Sequence, residues 1–197
     1  MSRKDVHVLP GEYYHVFNRG NNQQAIFLES ENYRFFLQRL HYYFDPACID
    51  LVAYCLMPNH FHFLITIRKE IDFSNIMRSF SVSYVRSFQN WYRHKGHLFQ
   101  SNYEIRLVDS EEYLLHLCRY IHLNPVKSGL VDRPENWQYS DYRDWVSDEA
   151  GEDKPSVQAR NRFFLDSDSY KGFVMDSQGH AEANHRFQRW LSECHLD

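Results

Sequence analysis

Tyr54-Cys55-Leu56-Met57-Pro58-Asn59-His60-Phe61-His62-Phe63-Leu64-Ile65-Thr66-Ile67 is a tight-turn signal between two strand-like runs. Pro58 and Asn59 favour the turn. The residues after it are aromatic and β-branched, the composition of a strand. Side chains alternate along a strand, so His60 and His62 share one face while Phe61 and Phe63 share the other. The Phe face suits a hydrophobic core. Two imidazoles on one face can converge on a single divalent cation. A His pair alone is not a complete site and need bind nothing, so the rest of the chain must supply the other groups.

The run 49–57 reads as the preceding strand, and the two form a hairpin. Upstream, Pro10-Gly11 marks a turn and 13–18 a first strand. Arg19-Gly20-Asn21-Asn22 is a polar loop able to adopt positive φ and to present backbone N–H groups. Ser30 reads as the N-cap of a helix with Tyr33, Phe36, Leu37, Leu40 and Phe44 on its apolar face, ended by Pro46. A long helix is expected from Ser74 to about His94, with Ile76, Phe80, Tyr84, Phe88 and Trp91 as its apolar stripe. Lys95-Gly96 reads as its close. A fourth strand follows over 103–108. A further helix, capped by Asp109 or Ser110, buries Leu114, Leu117, Cys118 and Ile121 and stops at Pro125.

Strand, helix, strand, strand, helix, strand is the split βαβ order of a ferredoxin-like α+β domain. The expectation is a βαββαβ antiparallel sheet with helices on one face, an added C-terminal helix, and a less regular extension. A catalytic domain is assigned to residues 1–133 and the extension to 134–197. Trp137, Tyr139, Tyr142 and Trp145 form an aromatic segment expected to pack back on the domain. Residues 147–156 read as a loop or linker, and 161–164, 170–175 and 181–191 as short helices.

The 197 residues include 15 Phe, 14 Tyr and 4 Trp, at 43% hydrophobic, so a sizeable core is within reach. The net charge of −4 gives no global signal for nucleic acid. Locally the balance differs: residues 68–133 hold ten Lys/Arg against seven Asp/Glu. Four cysteines, Cys48, Cys55, Cys118 and Cys194, show no paired spacing, which points to reduced thiols and a cytoplasmic protein. No run reaches a membrane-spanning length or forms an apolar signal core, so no membrane role is expected.

The helix after the fourth strand carries Glu112, His116, Tyr120 and Asn124 at intervals of four, along one stripe. Taken singly, these are ordinary residues at a core rim and a helix end. Beside His60 and His62 they mean more. Tyr120 offers a phenol nucleophile, and Asn124 a carbonyl oxygen able to complete a metal site. A phenol of ordinary pKa near ~10 needs polarisation or a base. His116, Glu112 and His122 are the candidate bases.

His60-Phe61-His62 resembles the His-hydrophobic-His motif of the HUH single-tyrosine transposases. The strings 54–62 and Tyr120-Ile121-His122-Leu123-Asn124-Pro125-Val126-Lys127-Ser128-Gly129-Leu130 resemble the REP-associated tyrosine transposase branch closely. So do Arg19-Gly20-Asn21-Asn22, Gly96-His97-Leu98-Phe99-Gln100 and Trp137-Gln138-Tyr139-Ser140-Asp141-Tyr142. The resemblance spans about residues 11–145 and holds in order. It implies a metal-dependent endonuclease and strand transferase on single-stranded DNA. Tyr120 would attack a phosphodiester and become joined to the 5′ phosphate. His60, His62 and Asn124 would be the metal ligands, with Mg or Mn as the ion. The substrate would be a repetitive extragenic palindromic hairpin with a single-stranded flank. Monomer and homodimer both stay open.

Arg78, Arg86 and Arg93 lie on one side of the long helix as a phosphate track, joined by Lys95 and Arg106. Asn18, Arg19, Gly20 and Asn21 are placed to contact bases or phosphates. Two rival readings remain: a domesticated hairpin-binding protein without cleavage, and a hydrolase of small phosphoesters that activates water.

Overall fold

The structure, a computed structural model, describes residues 7–176. The helix expected over 181–191 and Cys194 lie outside them. The chain divides into two compact units between Leu107 and Val108.

The first unit runs β1 (Tyr13–Arg19), α1 (Ser30–Tyr43), β2 (Ile49–Met57), β3 (His60–Ile67), α2 (Phe73–Tyr92) and β4 (Glu104–Val108), with a 3-10 turn at Asn21–Gln23. The strand order is β2-β3-β1-β4, and β3 pairs antiparallel with both β1 and β2. This is the expected ferredoxin-like α+β arrangement.

Alternation along β3 organises the core. Phe61 and Phe63 are 1% and 0% exposed, and their rings lie 5.3 and 6.2 Å from that of Phe36 on α1. Phe36 also meets Phe27, Phe80 and Tyr84 edge-on at 4.8–5.0 Å. Edge-to-face packing suits the ring quadrupoles. The register pairs Phe17 with His62 and Arg19 with His60. Directly paired residues share a face, so His60 and His62 point away from the helices, as the sequence pattern requires. A bulge between Leu51 and Ala53 swaps the faces of β2, and Cys55 and Met57 thereby join the histidine face.

Several helix boundaries differ from expectation. Helix α1 is capped by Glu29 rather than Ser30, because the Asn32 Oδ1 atom accepts the backbone N–H groups of Leu28 and Glu29 at 2.8 and 3.2 Å. Helix α2 is capped by Asp72, which accepts the Asn75 N–H. It buries Phe73, Met77, Phe80, Tyr84 and Phe88, whereas Trp91 is half-exposed. It ends at Tyr92 because Arg93 takes a left-handed φ of 50°, so Lys95 and Gly96 lie beyond it.

The second unit contains α3 (Glu111–Lys127), a 3-10 turn (Pro134–Asn136), α4 (Tyr142–Trp145), α5 (Pro155–Phe163) and α6 (Ser167–Met175). Ser110 caps α3, its Oγ accepting the Tyr113 N–H at 3.2 Å. Pro125 does not end this helix, contrary to expectation. It sits in the last turn, and its carbonyl accepts the Leu130 N–H while Val126 accepts the Gly129 N–H. With Gly129 at φ 67°, this is a Schellman close, which places the stop after Lys127. Residues 155–156, expected in the linker, open α5, where Pro155 stands at a first-turn position that tolerates its missing N–H. Tyr142 and Trp145 are fully buried with Tyr170, whose ring lies 4.5 Å from that of Trp145. Among the described residues no helix is long and apolar enough to cross a membrane.

Phe36→Ala removes the ring on which five others converge. It should cost roughly 3–5 kcal/mol in urea denaturation, whereas Leu165→Ala, at a site 93% exposed, should stay within about 0.5 kcal/mol.

Candidate functional site

The histidine face of the sheet is assembled by β1 and β3. His62 is fully buried, and its Nδ1 lies 3.0 Å from Nε2 of His15, which is buried as deeply. His60 is partly exposed, and its Nδ1 lies 2.7 Å from Oδ1 of Asn59. The Asn59 Nδ2 group donates to the Gln23 carbonyl at 3.3 Å, which orients the amide with its oxygen toward His60. An amide oxygen only accepts, so His60 carries a proton on Nδ1, which in the neutral ring leaves the lone pair on Nε2.

Burial pushes the His15 imidazole down to about 3, with the Arg106 charge adding to the effect. Burial also holds His62 well below the usual histidine range, followed by the charges of His60, His15 and Arg19. Both rings are neutral near pH 7, the form that binds metal.

The ring centres of His60 and His62 are 5.0 Å apart. Two imidazoles bound to one ion at about 2.1 Å, at angles between 90° and tetrahedral, hold their centres about 4.5–5.2 Å apart. The 5.0 Å separation lies in that range. No third His, Cys, Asp or Glu joins them among the described residues.

The loop after β1 is built against the same end of the hairpin. Gly20 donates its N–H to the Asn59 carbonyl at 2.7 Å, and Asn21 donates to the Leu98 carbonyl at 2.8 Å. Ile26 and Phe27 both donate to the Pro58 carbonyl, and Gln100 to that of Arg19. A Cβ at Gly20 would meet the Gln24 carbonyl oxygen at 2.0 Å, so close approach demands glycine here although φ is ordinary. Asn22 supplies the positive φ expected of this loop. Three segments of the motif set, 19–22, 58–62 and 96–100, are thus tied together by backbone bonds.

Of the expected DNA-contacting residues, Arg78, Arg86, Arg93, Lys95 and Arg106 are exposed. Arg78 and Arg86 stand on α2 away from its buried face, while Arg93 lies one residue past the helix. Arg19 and Asn21 are partly exposed. Asn18 is 4% exposed, with its amide spent on the Ser101 carbonyl and the Arg19 N–H. It shapes the loop rather than presenting a free side chain. Gly20 is likewise buried.

In the second unit, α3 holds Tyr120 and Asn124, 7% and 6% exposed. The ammonium of Lys127 lies 5.5 Å from the centre of the Tyr120 ring. Burial and the Arg119 charge lower the Lys127 pKa. His122 is removed from the list of candidate bases. It is fully buried, with Nδ1 at 2.6 Å from the Tyr170 hydroxyl and Nε2 at 3.1 Å from Asp141. Asp141 also accepts from the Trp145 indole. This network fastens α3 to α4 and α6. His116 is buried near Phe173, and Glu112 is exposed.

The sequence pattern marks Asn59 only as a turn residue and does not single out His15 or Lys127 for the site. Lys127 stands seven residues from Tyr120, hence on the same helix face, and that spacing was a usable signal. His15 had none, because its partner is 47 residues away.

Comparison with known proteins adds to this geometry. A REP-associated tyrosine transposase of Haemophilus influenzae is 27% identical over 113 residues. The alignment covers 52% of this chain and 61% of the relative, so the chain spans about three-fifths of that protein's length. A solved structure of a REP-associated tyrosine transposase bound to a REP hairpin shares the fold. Its TM-score is 0.61 at 19% identity, covering 77% of this chain and 88% of that one. Residues 10–124 match the model of the IS200-like transposases, a span that holds His60, His62, Tyr120 and Asn124. With more than half of its residues inside that match, the chain belongs to the IS200-like transposase family.

Proposed function

We propose that this chain cuts and rejoins single-stranded DNA next to palindromic hairpins through Tyr120. The observation that carries the reading is the His60–His62 pair. It lies on the sheet face opposite Phe61 and Phe63, at a spacing suited to one cation, in a chain whose family match also contains Tyr120 and Asn124. The functional domain runs over residues 1–133, so it includes β1 through α3, with 134–197 as an extension.

His60, His62 and Asn124 would hold a divalent cation, Mg or Mn. Bound there, it would supply Lewis-acid stabilisation of charge on the phosphoryl oxygens and help orient the scissile bond. The chain's own residues do the rest. The Tyr120 hydroxyl oxygen attacks phosphorus and loses its proton. The new bond joins Tyr120 to the 5′ phosphate, the P–O3′ bond breaks, and the 3′ oxygen leaves as a hydroxyl after taking a proton. Attack by that 3′ hydroxyl, or by one from another strand end, reverses the step and releases the tyrosine. The energy of the phosphodiester is kept in the intermediate, so rejoining needs no nucleotide cofactor. Lys127 beside the ring favours loss of the phenol proton.

Exposed cations on and after α2 suit a phosphate backbone. The loop over 19–22 is pinned to the β2–β3 turn, so whatever it contacts is placed relative to His60. This fits recognition of a hairpin and cleavage at its flank by one protein.

Tyr120→Phe should lose cleavage by at least about 10³-fold while binding a hairpin oligonucleotide as wild type does. EDTA should abolish cleavage in both. Cleavage that survives Tyr120→Phe would make water the nucleophile. Tight hairpin binding with no cleavage by the wild type, in Mg or Mn, would favour the domesticated binder. Removing Arg78, Arg86 or Arg93 should each lower the slope of log K against log salt by about 0.7 for a single-stranded contact. Unchanged slopes would take α2 off the DNA.

A further inference from the structure

His60 is held in one tautomer by Asn59, and the same question arises for His62, whose Nδ1 faces another imidazole instead of an amide. The 3.0 Å separation between His62 Nδ1 and His15 Nε2 accommodates one proton. If His15 donates, His62 must carry its own proton on Nε2 and cannot ligate through that atom. If His62 donates, its Nε2 lone pair is free of the proton, matching His60.

We infer that His15 is a positioning residue that accepts the His62 Nδ1–H and so fixes His62 in the Nδ1–H tautomer that Asn59 fixes for His60, presenting two Nε2 atoms to one cation. The inference rests on the reading of His60 and His62 as metal ligands. Metal-bound histidines commonly use their second nitrogen in this way, and loss of the outer partner weakens metal binding by about 10–100-fold.

The fold explains how His15 comes to do this. It lies on β1 two residues before Phe17, which pairs directly with His62, so His15 and His62 share a face and meet on the diagonal. Its ring lies 4.7 Å from that of Phe17 and 5.2 Å from that of His62, stacked at 22° to the latter. Both imidazoles are fully buried. A buried ring packed between neighbours cannot turn to water for another acceptor. Asn59 at the turn and His15 at mid-strand therefore perform the same task for successive ligands, one from each end of the site.

The test uses the full chain without DNA and reads Mn2+ binding by titration and paramagnetic resonance. His15→Phe fills the same space without an acceptor and should weaken Mn2+ binding at least about tenfold. His15→Gln restores an acceptor and should bind within about threefold of wild type. Hairpin binding in EDTA should be unchanged in both, marking them as folded. Mn2+ binding by His15→Phe equal to wild type, with His62→Ala defective, would overturn the role of His15 and leave the ligand pair standing. Binding unaffected by His60→Ala and His62→Ala would overturn the ligand reading, and this inference with it. Long-range 1H–15N spectra of the metal-free wild type need no variant. They should place the His62 proton on Nδ1, and a proton on Nε2 would contradict the inference.

Discussion

Burying Phe61 and Phe63 beneath the helices leaves His60 and His62 no choice of face. Alternation along β3 makes the hydrophobic core and the shared face of His60 and His62 two consequences of one register. A slip of one residue would take both phenylalanines out of the aromatic cluster around Phe36 and drive both imidazoles into it. Register is strongly specified wherever one face is buried. Here the packing of five rings on Phe36 also guarantees the geometry of the site.

The second unit meets a comparable demand by different means. Helix α3 carries Tyr120 and Asn124, and its fixed points are polar groups inside an aromatic core. His122 is held from both sides by Tyr170 and Asp141, and Arg119 donates to the carbonyls of Val174 and Asp176. Buried polar groups of this kind are costly unless all are satisfied, and satisfied networks specify a single arrangement. The residues after 134 thus have a structural use: they supply the partners that hold the helix of Tyr120. The Schellman close at Gly129 lets the helix continue through Pro125 as far as Lys127, which brings the ammonium to the Tyr120 ring.

Much of this was legible in the sequence, and the exceptions have physical causes. The bounds of β2 and β3 follow from the turn at Pro58-Asn59 and from β-branched and aromatic runs, signals that act over a few residues. The His pair followed from alternation alone. The bulge at Leu51/Ala53 left no mark, because both faces of β2 are largely buried and a swap of faces does not disturb an apolar pattern. The apolar stripe of α2 does not reveal its end, because Arg93 adopts a conformation usually left to glycine. Pro125 reads as a stop, but its effect depends on where it falls: in a last turn closed by Gly129, its missing N–H is tolerated. The pairing of His15 with His62 and of His122 with Asp141 and Tyr170 depends on tertiary contacts 19 to 48 residues apart. No local window contains such contacts, and a lone buried histidine looks the same whether it orients a ligand or fills a core.

The central claim is that one phenol among 14 tyrosines forms the covalent link to DNA. Trapping the protein on a hairpin oligonucleotide in Mn2+, digesting both components and mapping the modified peptide by mass spectrometry addresses it directly. A nucleotide remnant joined through a 5′ phosphate to Tyr120, and to no other tyrosine, is the predicted result. A remnant on another residue, or strand cleavage with no modified peptide, would contradict the account.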